Sequence, residues 1–228
     1  MVTVAIYDAN GNMVDVWTDS IRYYAHRLLA MYDGSNEAYE KNEALCKLLV
    51  DMLNYGAACQ TYFSHNTNNL ANANLSDAQK AYATTGDFQW SNTLHNPDSK
   101  YLEGANLITT GSIQLALKLT GLQKGYYLEY TYQNHWTDGD NDRQEFDAAT
   151  HRLDLGSDGV YYINELVVAD ARQVITFVLK SAEGTVISTW TDSIESYCNR
   201  MGNKTDDVFV AFMRFSDSAE KYLEGGKI

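Results

Sequence analysis

Residues 3–24, TVAIYDANGNMVDVWTDSIRYY, and residues 176–197, TFVLKSAEGTVISTWTDSIESY, decide how this chain is read. Aligned at a shift of 173, they share Thr3/Thr176, Ala9/Ala182, Gly11/Gly184, the five residues WTDSI (17–21 and 190–194) and Tyr24/Tyr197. Arg27 and Arg200 continue the match. In each copy two β-rich runs flank a turn signal, Asn10-Gly11 in the first and Glu183-Gly184 in the second, which is the pattern of a hairpin. Asp and Ser side chains then stand where a helix start needs acceptors: Thr18, Asp19 and Ser20 in the first copy, an Asp192/Glu195 capping box in the second. An apolar stripe at i, i+3, i+4, i+7 follows: Ile21, Tyr24, Ala25 and Leu28, against Ile194, Tyr197, Cys198 and Met201.

A further segment repeats at a shift of 160, with Met52-Leu53, Tyr55 and Tyr62-Phe63 facing Phe212-Met213, Phe215 and Tyr222-Leu223. It predicts a long helix over 41–63 with Leu45, Leu48, Leu49, Met52, Cys59 and Phe63 on its inner face, and a matching last helix. The shifts differ by 13 residues, so the first copy carries the longer connection between its helices. Between the copies, residues 65–75 are asparagine-rich and read as an irregular linker. Ser76 with Gln79 marks a short helix. From about residue 105 the pattern turns to period two: Ile113, Leu115, Leu117 and Leu119 alternate with Gln114, Ala116 and Lys118. Further strands are expected at 125–134, 143–150, 151–155, 159–168, 174–180 and 185–190.

The fold class expected is therefore α+β: an immunoglobulin-like antiparallel β-sandwich flanked by two repeated hairpin and helix-pair units. The segments are 1–64 for the first copy, 65–104 for the linker, 105–190 for the sandwich with the repeated hairpin, and 191–228 for the second helix pair. A repeat of this spacing marks a modular array. The first copy begins in mid-strand, which suits a fragment of a longer array whose first hairpin has lost its sandwich. An isolated hairpin is marginal in water, so it is expected to lie on helices or on a sheet edge.

Composition narrows the function. The chain has 228 residues and 45% apolar content, enough for a sizeable core. Its formal charge is −13, with 17 Lys and Arg in all. That argues against nucleic acid and against an anionic membrane surface. No apolar run is long enough to span a bilayer. Cys46 and Cys59 lie 13 residues apart in one helix, roughly 20 Å at ~1.5 Å per residue, beyond disulfide reach. With Cys198 they read as buried packing thiols. No Walker loop, dinucleotide fingerprint, nucleophile elbow or metal-spaced histidines occur, and no enzyme is expected.

Three constellations remain. Arg22, Tyr23, His26 and Arg27 lie on the outer face of the first helix, where the second copy has Glu195, Ser196, Asn199 and Arg200; they are the candidate protein-binding residues. Tyr127, Tyr132, Trp136 and Tyr161 are the alternative, an aromatic platform for a glycan. Asp138, Asp140 and Asp142 alternate in a loop as calcium ligands do, but Arg143 stands where an EF-hand needs Gly, so a solvated acidic loop is the plainer reading. No other cofactor is expected.

The first hairpin and WTDSI box, the run Met52–Ala58 (MLNYGAA), Tyr62-Phe63 and Asn69–Asn72 (NLAN) resemble repeated modules of large secreted or surface proteins of gut-dwelling Gram-positive anaerobes. The organisation is similar to that of immunoglobulin-binding, superantigen-like proteins. The resemblance implies an extracellular or cell-wall-attached location and a host extracellular protein, immunoglobulin specifically, as partner. A glycan ligand and a structural spacer in a cell-wall array are the competing expectations.

Overall fold

The computed structural model describes residues 2–91, 95, 98–109, 113–132, 149–154, 159–201 and 207–225. They form a mixed α+β protein whose three sheets are all antiparallel. The chain separates into two compact units, one built from residues up to Gly86, the other from Asp87 to Glu224.

The first unit holds β1 (Val2–Tyr7), β2 (Met13–Asp19), α1 (Ile21–Tyr32), α2 (Glu43–Tyr62) and the short α3 (Asp77–Lys80). The hairpin turn is wider than the sequence predicts. It runs from Asp8 to Asn12, and Gly11 alone takes a positive φ, +83°. Asn10 keeps a negative φ because Asp8 does the shaping: its Oδ1 accepts from the N–H groups of Asn10 at 2.8 Å and Asn12 at 2.9 Å. Ser20 caps α1 through the N–H of Tyr23, and Asn42 caps α2 through that of Leu45.

The core of this unit lies between α1 and α2, with Ala25, Leu29, Leu45, Cys46, Leu49, Val50, Leu53, Ala57 and Leu75 buried. The stripe on α2 is rotated from the expected one. Cys46, Val50, Leu53 and Ala57 are inside, while Phe63 is exposed and pairs edge-on with exposed Tyr62. The rotation follows from the chain after α2, which covers a second side of the helix. A Cβ on Gly56 would meet Ala71 at 3.1 Å, so the mid-helix glycine permits this approach, offsetting its cost of about 1 kcal/mol. Buried Asp51 accepts from the N–H and hydroxyl of Thr84 at 2.8 and 2.5 Å.

The second unit holds β3 (Leu102–Ile108), β4 (Ile113–Leu119), β5 (Tyr127–Tyr132), β6 (Ala149–Asp154), β7 (Val160–Leu166), β8 (Ile175–Lys180), β9 (Val186–Asp192), α4 (Ile194–Met201) and α5 (Asp207–Gly225). One sheet has the order β3-β4-β7, the other β6-β5-β8-β9. Where separate strands are expected at 143–150 and 151–155, the described residues, Ala149–Asp154, form the single strand β6, which runs unbroken through His151 opposite Tyr130. Period-two burial is clearest in β8, where Ile175, Phe177 and Leu179 are inside; Phe177 stacks on Trp190 at 5.3 Å between centroids.

The internal repeat holds at the level of backbone register. Val2 faces Asp19 as Ile175 faces Asp192, and Val4 faces Trp17 as Phe177 faces Trp190. The ladder is irregular at Ile6/Tyr7 and at Leu179/Lys180, positions 173 apart. Ser181 takes the place of Asp8 in the second turn, accepting from Glu183 and Thr185, and Gly184 repeats the φ of +83°. The second helix start is capped by Ser193, whose Oγ accepts from the N–H of Ser196 at 3.0 Å, and not by the Asp192/Glu195 box. Asp192 instead accepts from the N–H of Ser193 and from both terminal nitrogens of Arg200, at 2.9, 2.8 and 2.6 Å. Asp19 does the same for the N–H of Ser20 and for Arg27.

The two locks differ in burial, so their loss is expected to differ. Asp192 is fully buried, and Asp192→Ala strands Arg200 at a cost of about 3–5 kcal/mol to the second unit. Arg27 is half-exposed, and Asp19→Ala is expected to cost the first unit about 1–2 kcal/mol. Amide exchange resolved by unit, under increasing urea, measures both.

Candidate interaction surface

On α1, three of the four residues singled out by sequence are tied down. Arg22 donates to the side-chain and backbone oxygens of Asn69 at 2.8 and 3.3 Å. His26 Nε2 lies 3.1 Å from the carbonyl of Ala71. Arg27 is committed to Asp19. Gln60 of α2 holds the same stretch from the other side: its Nε2 donates to the carbonyls of Asn66 and Asn69, and its Oε1 accepts from the N–H of Ala71 at 2.7 Å. The asparagine-rich segment read as an irregular linker is thus a loop fixed against both helices. Ser64 and Asn66, at φ +52° and +51°, turn the chain into it.

Tyr23 is different. It is 61% exposed on a helix whose start is capped and whose neighbours are anchored. Beside it Ile21 and Tyr24 are 74% and 53% exposed, although the helical period places them on the inner stripe. Ile6, Tyr7, Met13, Val14 and Val16 of the hairpin are also more than half exposed. Ile6, opposite Asp15, and Val14 and Val16 lie on opposite faces of the hairpin, so both faces carry exposed apolar residues, and apolar exposure of this extent marks an interaction surface more often than a solvated face.

The second copy corrects another expectation. Glu195 and Ser196 are buried, not on an outer face. Ser91 donates its N–H and hydroxyl to the Glu195 carboxylate at 2.8 and 2.6 Å, and the N–H of His95 donates to Ser196 at 2.7 Å. Arg172 joins Glu195 to Asp217, binding Asp217 through two nitrogens at 2.9 and 3.1 Å. Burial works against the charge on Arg172, but Asp217 and Glu195 outweigh it and hold the guanidinium above its ordinary range. The charged and hydroxyl groups here are bound to one another, so the cluster reads as a brace between α4, α5, the turn at Arg172 and the segment that carries Ser91 and His95.

The platform residues Tyr127, Tyr132 and Tyr161 are buried: Tyr132 and Tyr161 occupy inward positions of their strands, while Tyr127, on the outward phase of β5, is covered by neighbouring side chains. Arg152 lies over the Tyr127 ring at 3.8 Å, and Tyr132 donates to Asp170. Tyr162, the outward neighbour of Tyr161, is 47% exposed, the alternation that paired tyrosines require. Trp136, Asp138, Asp140 and Asp142 lie outside the described residues, among which no group of His, Cys, Asp and Glu is arranged to hold a metal. A cavity of about 390 Å³ beside α2 is lined by Asn54, Asn72, Ala73, Leu75, Lys80 and Ala83. Its polar groups are largely paired with one another: Asn72 with Asn54, and Lys80 with Asp77.

No family model, curated protein or solved structure matches the chain. Among the described residues, no helix is long and apolar enough to cross a membrane.

Two outcomes follow from the electrostatics. Burial alone would raise the Asp33 carboxyl, but hydrogen bonds from Ser35 and Gln79 prevail and lower it. Its stabilising effect is therefore present above the unfolded carboxylate range, near pH 4, and fades as pH falls through the lower folded value. Asp33→Asn is expected to destabilise the first unit by about 1–2 kcal/mol at pH 7 and by much less at pH 3, measured by urea unfolding. Burial also pushes the Cys46 thiol up to about 11 and Cys198 higher still. Both are expected to resist alkylation at pH 8 in the native protein and to react on unfolding, as read by intact mass.

Proposed function

We propose that this chain is a non-enzymatic, extracellular bacterial binding module that engages a host protein, with immunoglobulin as the specific candidate. The observation that carries the reading is the rigid, aromatic face of α1. Tyr23 stands exposed between Ile21 and Tyr24 on a helix held by Ser20, Asn69 and Ala71. Exposed aromatic anchors on a preorganised helix lose little entropy on binding, which is how interface hot spots are built. Arg22 and His26 then act as supports for the binding face and Arg27 as its rim.

In the same reading, the sheets β3-β4-β7 and β6-β5-β8-β9 pack face to face as an immunoglobulin-like sandwich. Support comes from the strand order and from inward residues on both sheets: Leu115, Leu117 and Ile163 on one, Leu128, Ile175 and Phe177 on the other. Repetition of such modules would raise affinity by local concentration. The glycan reading is the weaker one, since three of its four rings are core residues.

The immobilised chain, incubated with human serum and intestinal secretions and read by mass spectrometry, is expected to enrich immunoglobulin. Tyr23→Ala is expected to weaken that capture by about 2 kcal/mol, a hot-spot effect, without changing thermal stability. A glycan array with hits and no captured immunoglobulin would refute the proposal; silence in both assays would leave a structural spacer.

A further inference from the structure

One hairpin and helix are built twice in this chain and covered once. In the second copy, β8 has a strand on each edge. β9 lies on one, and β5 on the other with Tyr132 opposite Ile175, Tyr130 opposite Phe177 and Leu128 opposite Leu179. Leu179, Ile194 and Tyr197 are then 0%, 1% and 5% exposed. In the first copy, among the described residues, the sheet consists of β1 and β2, and the equivalent Ile6, Ile21 and Tyr24 are 53%, 74% and 53% exposed. Turn, ladder irregularity, helix cap and Asp–Arg lock are the same in both. The difference therefore lies in what covers the unit and not in how the unit folds.

We infer that the outer edge of β1 accepts a further antiparallel strand, in the register β5 takes on β8, from a sheet module built like β3–β7. That module covers Ile6, Ile21 and Tyr24 as its counterpart covers Leu179, Ile194 and Tyr197. The three side chains present roughly 400 Å², about half of one partner's share of a standard interface. Apolar area alone is thus too small, and the main-chain hydrogen bonds of an added strand supply the rest. A second copy of this hairpin is the poorer occupant, since it would bring only Val2–Tyr7 to that edge, with no further strands behind it like those that accompany β5. The incoming strand also differs from β5 in one respect. Lys180 of β8 pairs with Glu129 of β5 at 2.6 Å, whereas the first copy has Tyr7 in that place. An apolar or aromatic residue therefore replaces that glutamate in the cognate strand. Tyr23 lies between Ile21 and Tyr24 on the same helix, so the inference is told apart from immunoglobulin capture by its own readout, amide exchange in β1.

The test extends the chain at its N-terminus by a second copy of its own residues 87–174, with the added Glu129 equivalent changed to Val. Amide exchange in β1 is expected to slow by at least about tenfold relative to the unextended chain. Ile21→Asp combined with Tyr24→Ser in the extended chain should restore fast exchange. Unchanged β1 exchange overturns the inference, whether or not the added strands are themselves protected. So does a dimer of the unextended chain that protects β1 as concentration rises. Immunoglobulin capture by the extended chain, with and without Tyr23→Ala, reports separately on the proposed function.

Discussion

The carboxylate that ends β9 governs the second unit. Asp192 is buried at the point where a strand becomes a helix, and it accepts from the N–H of Ser193 and from both terminal nitrogens of Arg200. A buried ion pair adds little net stability against an apolar replacement, but it penalises every geometry in which the charge is left alone. It therefore fixes the direction in which α4 leaves the sheet. With that direction set, Glu195 meets Arg172 and Ser91, Ser196 meets His95, and Tyr197 reaches Asn106 of β3. The brace to α5 through Asp217 depends on the same placement.

The first unit shows how much of this is local. Asp19, Ser20 and Arg27 rebuild the same strand-to-helix corner with, among the described residues, no third strand beside the hairpin. Here the surroundings differ. The helix is steadied by the asparagine-rich loop through Arg22, His26 and Gln60. In both units the first helix is gripped by chain that comes from elsewhere in the sequence. The first unit uses long cationic and imidazole side chains to reach a loop; the second uses a short serine and a buried glutamate to hold His95 and Ser91.

Elements whose signal is local were legible from residues alone. The hairpins, the caps at Ser20 and Ser76, α2, and the period-two strands β4 and β8 stand where spacing and turn chemistry place them. Errors arose where a side chain has two possible employers. Asp192 and Glu195 fit a capping box in sequence, yet Arg200 and Arg172 claim both carboxylates, and Ser193 caps instead. Residues 65–75 have the composition of a linker, and only the partners Arg22 and Gln60, distant in sequence, make them a fixed loop. Paired tyrosines announce one inward and one outward ring without saying which: Tyr161 is the inward one and Tyr162 the outward, while Tyr127, on the outward phase of β5, is covered by Arg152.

The exposed face of α1 was harder to read, for a reason the repeat itself supplies. Ile21 and Ile194 sit at the same place in the same five-residue motif, yet one is 74% and the other 1% exposed. Periodicity reports which side chains could share a face; it carries no information about whether anything lies on that face. The useful signal is in the departures between copies. Ser196 accepts from His95 in a space where its hydroxyl also meets that of Ser193 at 3.0 Å. At the equivalent position 23 the first copy carries an exposed tyrosine instead, between exposed Ile21 and Tyr24, so this turn of α1 is apolar and aromatic. The residue that breaks the repeat is the one that defines the surface, which is why Tyr23, and not the better-conserved lock beside it, carries the proposed binding role.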